Sequence, residues 1–182
     1  MLKNNKFIVL TLITILICLG IYTSYVVYKK NTAINESTKN IFADSTDNAV
    51  ASYTDLNGNV ISLEQYLGKI LIVTSWASWS PFSKDDLISL SEIASSQDSN
   101  KVVFIAINRK ETREQAQRYM NILPELNSVI VALDPTDHFY ISMGGYAMPE
   151  TIIYNQKGDV VNHIRGVINR DELKSTIDKI LK

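Results

Sequence analysis

The most restrictive feature of this sequence is an uncharged apolar run close to its N-terminus. Residues 7–28 contain no acidic or basic side chain, and a helix of this length, rising about 1.5 Å per residue, extends about 33 Å. That length spans a bilayer hydrocarbon core of about 30 Å. No small-residue cleavage site follows the run, which favours an uncleaved signal anchor over a cleavable signal peptide. We therefore predict one N-terminal transmembrane helix over residues 7–28, preceded by a short tail of residues 1–6.

The charges around this run determine its orientation only weakly. Two lysines precede it and two follow it, so the count of positive charges on either side nearly ties. A short N-terminal tail usually stays in the cytoplasm, so we expect a single-pass protein of the cell membrane with an extracytoplasmic C-terminal domain. Cys18 follows Ile17, where a lipoprotein signal would need a small residue, and we interpret Cys18 as an ordinary apolar side chain. Lipidation of Cys18 is the alternative.

Composition excludes several classes of function. Cys18 is the only cysteine among 182 residues, which rules out an internal disulfide framework, a CxxC redox pair and a cysteine-based zinc site within one chain. The two histidines, His138 and His163, show no metal-ligand spacing. Residues 31–182 carry a net charge of −5, because four of the 18 basic residues precede them and all 19 acidic residues lie within them. We therefore expect no metal, no cofactor and no nucleic-acid partner.

Beyond the apolar run, the sequence divides into a polar linker and a folded domain. Residues 29–51 are polar, small and aperiodic, which predicts a flexible stalk. Residues 52–182 alternate apolar strand-like runs with helical patterns, an order typical of a mixed α/β sheet with parallel crossovers. The charged residues between 109 and 118 are interpreted as one solvated helix face. The predicted elements are an initial hairpin around 57–59, strands at 70–76, 102–107, 128–133, 151–154 and 160–164, and helices at 84–97, 111–120 and from 169 onward.

A short motif at the end of the first long strand resembles a known family. The run Trp76-Ala77-Ser78-Trp79-Ser80-Pro81-Phe82-Ser83 is similar to the Trp-Ala-x-Trp-Cys-x-x-Cys motif of the membrane-anchored, TlpA/ResA-like branch of the thioredoxin superfamily. The resemblance covers essentially all of residues 52–182. It implies a thioredoxin-like fold, with a mixed central sheet flanked by helices, and a cis peptide bond before Pro149. Further segments that carry the resemblance are Gly68-Lys69, Asp86, Met148-Pro149-Glu150-Thr151, Asn155 to Val160 and Gly166.

The sequence departs from that family at both redox positions. Ser80 and Ser83 stand where the family has cysteines, and a serine hydroxyl neither ionises readily nor forms a disulfide. A helix N-terminus stabilises an anion by about 0.3–1 kcal/mol, too little to generate an alkoxide. We therefore expect no catalytic residue at either position, and a binding protein rather than an enzyme. Ser83 with Asp86 is interpreted as a helix-capping pair. A serine nucleophile would need a base such as His138 or His163, and no nucleophile-elbow motif is present.

The resemblance also implies a binding mode that needs no cysteine. In the resembled fold, backbone beside the cis-proline pairs with an extended substrate segment. We therefore predict a membrane-anchored, redox-inactive protein that holds a client or partner protein, with Trp76 and Tyr146 interpreted as core residues. Two alternatives stay open. One is a thiol–disulfide oxidoreductase of cytochrome c maturation type whose two cysteines have been replaced, and the other is a purely structural, membrane-tethered module. The predicted partner-binding residues are Trp79, Pro81, Phe82, Met148 and Pro149.

Overall fold

The computed structural model describes residues 17–26, 29 and 52–182. Residues 17–26 are helical and exposed. No helix within the described residues is both long and apolar enough to cross a membrane. Of the transmembrane helix predicted over 7–28, the structure describes residues 17–26. The other residues of that prediction lie outside the described residues, together with the predicted tail and nearly all of the predicted stalk.

The strands of the folded domain build one mixed sheet. In chain order, the strands within residues 52–182 are β1 (Ser52–Asp55), β2 (Val60–Ser62), β3 (Ile70–Trp76), β4 (Val102–Arg109), β5 (Val129–Asp134), β6 (Glu150–Tyr154) and β7 (Val160–Arg165). They hydrogen-bond in the order β2-β1-β5-β4-β3-β6-β7. Strands β3, β4 and β5 are mutually parallel, and the remaining pairings are antiparallel. The mixed sheet predicted from the sequence is confirmed.

Helices cover both faces of this sheet. They are α1 (Ser83–Ala94), α2 (Arg113–Met120), α3 (His138–Ser142) and α4 (Arg170–Leu181), with a 3₁₀ turn at Leu63–Tyr66. Alternate residues of β3 enter two separate cores, because successive side chains of a strand point to opposite faces. Helices α1, α2 and α4 contribute to one core, and α3 with the 3₁₀ turn contributes to the other. Every residue of β3 and β6 is buried, which explains the apolar residues 70–73 and 152–153 on both faces of these strands.

Side-chain capping begins α2 and α4 but not α1. Thr112 caps α2 in a reciprocal pair with Gln115, and the Asn169 side chain accepts hydrogen bonds from two backbone N–H groups at the start of α4. Helix α1 begins at Ser83. Phe82 occupies its N-cap position, where no side chain makes a capping hydrogen bond. The predicted Ser83–Asp86 capping pair is therefore wrong. Ser83 is already helical, and its hydroxyl lies inside the preceding loop.

Helix α3 is not among the elements predicted from the sequence. The helix is only five residues long, too short for an amphipathic period to be recognised. A tertiary contact holds its start, because the Phe139 N–H donates to Asp134 Oδ2 at 2.7 Å. Phe139 is fully buried in the core that α3 shares with the 3₁₀ turn. Helix α3 thus forms because the end of β5 supplies an acceptor and the sheet supplies a core.

Candidate functional site

The candidate site lies where the loop after β3 meets the loop before β6. The Ser80 Oγ donates to the Met148 carbonyl oxygen at 3.2 Å, which joins the two loops. The peptide bond between Met148 and Pro149 is cis, as the resemblance implies. On the other side of the proline, the Gly166 N–H donates to the Pro149 carbonyl oxygen at 2.9 Å. The proline loop is therefore bonded both to the serine motif and to the strand end of β7.

The two serine hydroxyls are buried, and each is hydrogen-bonded to a backbone group. Ser80 is 3% exposed and Ser83 is fully buried. The Ser83 Oγ accepts the Ala77 N–H at 3.3 Å, and the Ser80 N–H donates to the Ala77 carbonyl oxygen at 3.1 Å. No basic side chain among residues 52–182 bonds either hydroxyl. This geometry gives a serine nucleophile no support.

The motif presents two large aromatic side chains to solvent. Trp79 is 63% exposed and Phe82 is 56% exposed, although large apolar side chains are usually buried. Pro81 is also exposed, whereas Met148 is half-buried and Pro149 is buried. The structure therefore places all five predicted partner-binding residues on the two joined loops, with three of them accessible.

The aromatic neighbours of the motif differ in burial. Trp76 is fully buried and stacks on Tyr119, with ring centroids 5.4 Å apart. Tyr146, interpreted from the sequence as a core residue, is 72% exposed. That interpretation is wrong because Tyr146 lies in the loop before the cis-proline, outside the layers of the sheet. The exposed aromatic set at this site is thus Trp79, Phe82 and Tyr146.

Glu111 positions the serine motif, a role the sequence analysis missed. Its Oε2 accepts the Ser78 N–H at 2.9 Å and the Asn108 Nδ2–H at 2.6 Å, and its Oε1 accepts the Ser78 hydroxyl at 2.5 Å. Glu111 is buried, so its predicted place on a solvated helix face is wrong. A usable signal was present: Glu111 closely follows the carboxyl end of a buried parallel strand, where site residues of α/β sheets gather.

Arg109 was predicted on the same helix face but is the last residue of β4. Through Tyr140 it supports the loop before Pro149. Its guanidinium pairs with both carboxylate oxygens of Asp137 and lies over the Tyr140 ring, 3.6 Å from the ring centroid. The Tyr140 hydroxyl donates to the Ala147 carbonyl oxygen at 2.9 Å. Gly145 packs so closely on that ring that a Cβ would lie 2.5 Å from it. These contacts connect the end of β4 to the residues before Met148.

Glu150 clamps the other end of the same loop. Its Oε1 accepts the N–H groups of Tyr146 at 2.7 Å and Ala147 at 2.5 Å, and its Oε2 bonds His163 Nε2 at 2.7 Å. Burial would raise the pKa of Glu150, but these hydrogen bonds outweigh burial and hold the pKa below its usual range. The carboxylate is therefore ionised at neutral pH. The Nε2 atom of His163, a candidate base in the sequence, is hydrogen-bonded to Glu150. His138, the other candidate, is the first residue of α3.

Asp86 lies beneath the motif on α1 with one oxygen unused. Its Oδ1 accepts the Ile168 N–H at 2.7 Å, while its Oδ2 is buried with no hydrogen-bond partner among the described residues. Burial raises the pKa of Asp86 to about 6, against the lowering effect of the Ile168 bond. Asp86 thus ties α1 to the segment before α4. Within the described part of the chain, no cluster of three or more metal-ligating side chains occurs.

Comparisons with known proteins agree with the fold. Residues 36–181 match the Redoxin family model. The thiol:disulfide interchange protein HelX of Rhodobacter capsulatus is 30% identical over 116 residues, which cover 63% of this chain and 62% of HelX. The thiol-disulfide oxidoreductase ResA of Bacillus thuringiensis is 20% identical over 98% of this chain and 99% of its own length.

A solved structure shows the same fold. The pneumococcal exposed lipoprotein thioredoxin Etrx1 from Streptococcus pneumoniae superposes with a TM-score of 0.64 at 20% identity. The superposition covers 72% of this chain and 99% of Etrx1. The predicted thioredoxin-like fold is therefore confirmed.

Proposed function

Because this chain belongs to the redoxin family, yet carries serine at both redox positions of its motif, we propose that it binds an extended segment of a client protein without thiol–disulfide exchange. The observation that carries the proposal is the exposure of Trp79 and Phe82 on a loop joined to the cis-proline loop by the Ser80–Met148 bond. The relatives named above are thiol–disulfide enzymes by description. Their chemistry requires a thiolate nucleophile and a sulfur leaving group, which Ser80 and Ser83 lack.

The arrangement of the site supports binding. An extended peptide gains affinity from backbone hydrogen bonds along a strand edge and specificity from pockets for its side chains. Exposed Trp and Phe on a rigid support are typical anchors of protein interfaces, where few residues supply most of the binding energy. Here Glu111 and Glu150 each fix one of the two loops through buried hydrogen bonds. The loops are therefore preorganised, which reduces the entropy lost on binding.

We further propose that residues 7–28 anchor the chain in the cell membrane and that the folded domain is extracytoplasmic. The support is the charge-free run itself, which is long enough for a bilayer core. The work of the protein would then be to hold a client close to the membrane surface, as an assembly or maturation accessory. The net charge of −5 beyond the anchor favours a domain that stays in solution rather than on anionic lipid.

A redox assay tests the absence of thiol chemistry. We expect the chain to reduce insulin disulfides no faster than a no-protein control containing dithiothreitol. The variant Ser80→Cys/Ser83→Cys should form a disulfide and accelerate the reaction, since the start of α1 favours a thiolate. The single variant Ser83→Cys is the matched control, because one thiol cannot close the internal disulfide. Insulin reduction by the unaltered chain would contradict the proposal and favour the oxidoreductase alternative.

Site-specific crosslinking tests the binding face. A photoreactive phenylalanine analogue at Trp79 or Phe82 should capture a defined protein in native membranes. The same analogue at Leu67 or Ile122, which are also exposed, should not. The matched variants Trp79→Ala/Phe82→Ala and Leu67→Ala/Ile122→Ala then separate the hypotheses in a co-purification assay. Only the first should lose the captured protein; equal retention by both would place the contacts elsewhere and favour the structural alternative.

A further inference from the structure

Arg165 brings a positive charge to the cis-proline end of the site. It is the last residue of β7 and pairs in register with Glu150 across the β6–β7 ladder. The next residue, Gly166, donates its N–H to the Pro149 carbonyl oxygen. Opposite residues of an antiparallel pair project to the same face of a sheet and interact when their charges are complementary. An ion pair between Arg165 and Glu150 would therefore be the ordinary outcome.

That ion pair does not form, because Glu150 is occupied by other donors. Its two oxygens accept hydrogen bonds from the N–H groups of Tyr146 and Ala147 and from His163. Two further buried carboxylates around the site are similarly committed, Glu111 to Ser78 and Asn108, and Asp137 to Arg109. None of the ion pairs between described residues includes Arg165.

The guanidinium of Arg165 is instead held against an exposed aromatic ring. Its Cζ lies 5.0 Å from the centroid of Tyr146, whose side chain is 72% exposed. Its Nε is buried and has no hydrogen-bond acceptor in the described part of the chain. A buried donor without an acceptor is unusual in a folded protein and costs free energy. A planar cation that makes no ion pair with a described residue therefore stands beside a solvent-facing ring.

From these contacts we propose that the client segment is acidic, and that Arg165 receives the carboxylate of one of its aspartate or glutamate side chains while Tyr146 packs against the neighbouring residue. The inference rests on the proposed function and names the chemistry of the partner. A guanidinium presents a rigid fork of donors that matches both oxygens of a carboxylate, and such charge-assisted bonds are stronger than neutral ones. The site thus combines two apolar anchors on the serine motif with one cation beside the cis-proline.

Matched peptides test this assignment with the full-length chain. The probes are fluorescein-labelled octapeptides of alternating Thr and Val, each with a single Phe and with one Glu placed at successive positions, acetylated and amidated at their ends. Each has a twin with Gln in place of Glu. We expect at least one Glu peptide to bind about fivefold more tightly than its twin. Arg165→Gln should abolish that preference, and Arg118→Gln, at an exposed arginine of α2, should keep it.

The outcomes separate this inference from the proposed function. Binding of no peptide would contradict both. Equal binding of every Glu and Gln twin to the unaltered chain would overturn only the inference, and so would a preference that survives Arg165→Gln. If Arg165→Gln does not fold, the inference is tested instead with the Arg165→Lys variant and with the salt dependence of the preference for Glu peptides. The lysine variant should lose most of the preference, and 500 mM salt should reduce the preference of the unaltered chain relative to 50 mM salt. A preference that salt leaves unchanged would overturn the inference.

Discussion

At the scale of single residues, the site is organised by buried carboxylates with different degrees of hydrogen bonding. Glu150 has three donors, and they hold its pKa below the usual range despite its burial. Asp86 has one donor and an unused oxygen, so burial dominates and raises its pKa to about 6. The buried carboxylate of Glu150 therefore stabilises its loop, whereas the buried, partly unpaired carboxylate of Asp86 destabilises the folded state when it is ionised.

Asp86 makes the free energy of unfolding depend on pH. Its pKa is about 6 in the folded chain and 3.8 in the reference state, so the folded state prefers the protonated acid. Stability should fall as pH rises from about 4 to about 6, by up to about 3 kcal/mol, and stay flat above that range. Asp86→Asn keeps an acceptor for the Ile168 N–H and should remove this fall.

Urea unfolding, followed by the fluorescence of the two tryptophans, of which Trp76 is buried, measures this effect at several pH values. The difference between the unaltered chain and Asp86→Asn should grow between pH 4 and pH 6.5 in favour of the variant. Asp85→Asn, at the exposed neighbour on α1, should show no such trend. Parallel pH profiles for the unaltered chain and Asp86→Asn would show that the Asp86 pKa is not raised.

At the scale of elements, a buried hydroxyl pair joins the two fully buried strands below the site. Thr74 on β3 and Thr151 on β6 face each other in register, with their Oγ1 atoms 2.9 Å apart. Both side chains are fully buried. Thr151 comes two residues after Pro149, so this pair holds the proline loop to the strand that carries the serine motif.

A double-mutant cycle should show that each hydroxyl needs the other. Thr151→Val leaves the Thr74 hydroxyl buried without this partner and should cost about 1–3 kcal/mol of unfolding free energy. The double variant Thr74→Val/Thr151→Val removes both polar groups and should recover much of that loss. Denaturant unfolding of the four chains measures the coupling free energy. Additive losses would mean that the two hydroxyls act independently.

At the scale of the whole molecule, the proposed anchor has consequences separate from those of the folded domain. The full chain should sediment with membranes and resist extraction by alkaline carbonate. Leu16→Arg/Leu19→Arg places two charges in the apolar run, each costing about 2.5–3.5 kcal/mol at the centre of a spanning helix. That variant should become extractable, and Leu16→Ile/Leu19→Ile should not. Extraction of the unaltered chain would contradict the anchor.

Several properties follow from the chain alone because they depend on local order and composition. The alternation of strand-like and helical patterns predicted the mixed sheet, and the structure confirms it. A disulfide within the chain is excluded in any conformation, because Cys18 is the only cysteine and serine occupies positions 80 and 83. The final helix, predicted from residue 169 onward, was equally accessible, and the Asn169 side chain caps its start. Each of these depends on residues a few positions apart or on residue type.

Only the tertiary structure decided which side chains share the site. Glu111 bonds Ser78, 33 positions away, because parallel β3 and β4 end side by side. Tyr146 is exposed and Trp76 is buried, although both are aromatic residues next to the motif. Arg165 forms no ion pair with Glu150, the residue opposite it in the β6–β7 ladder, because three other groups already bond the Glu150 carboxylate. Competition among donors and acceptors is settled by three-dimensional proximity, which local periodicity does not encode.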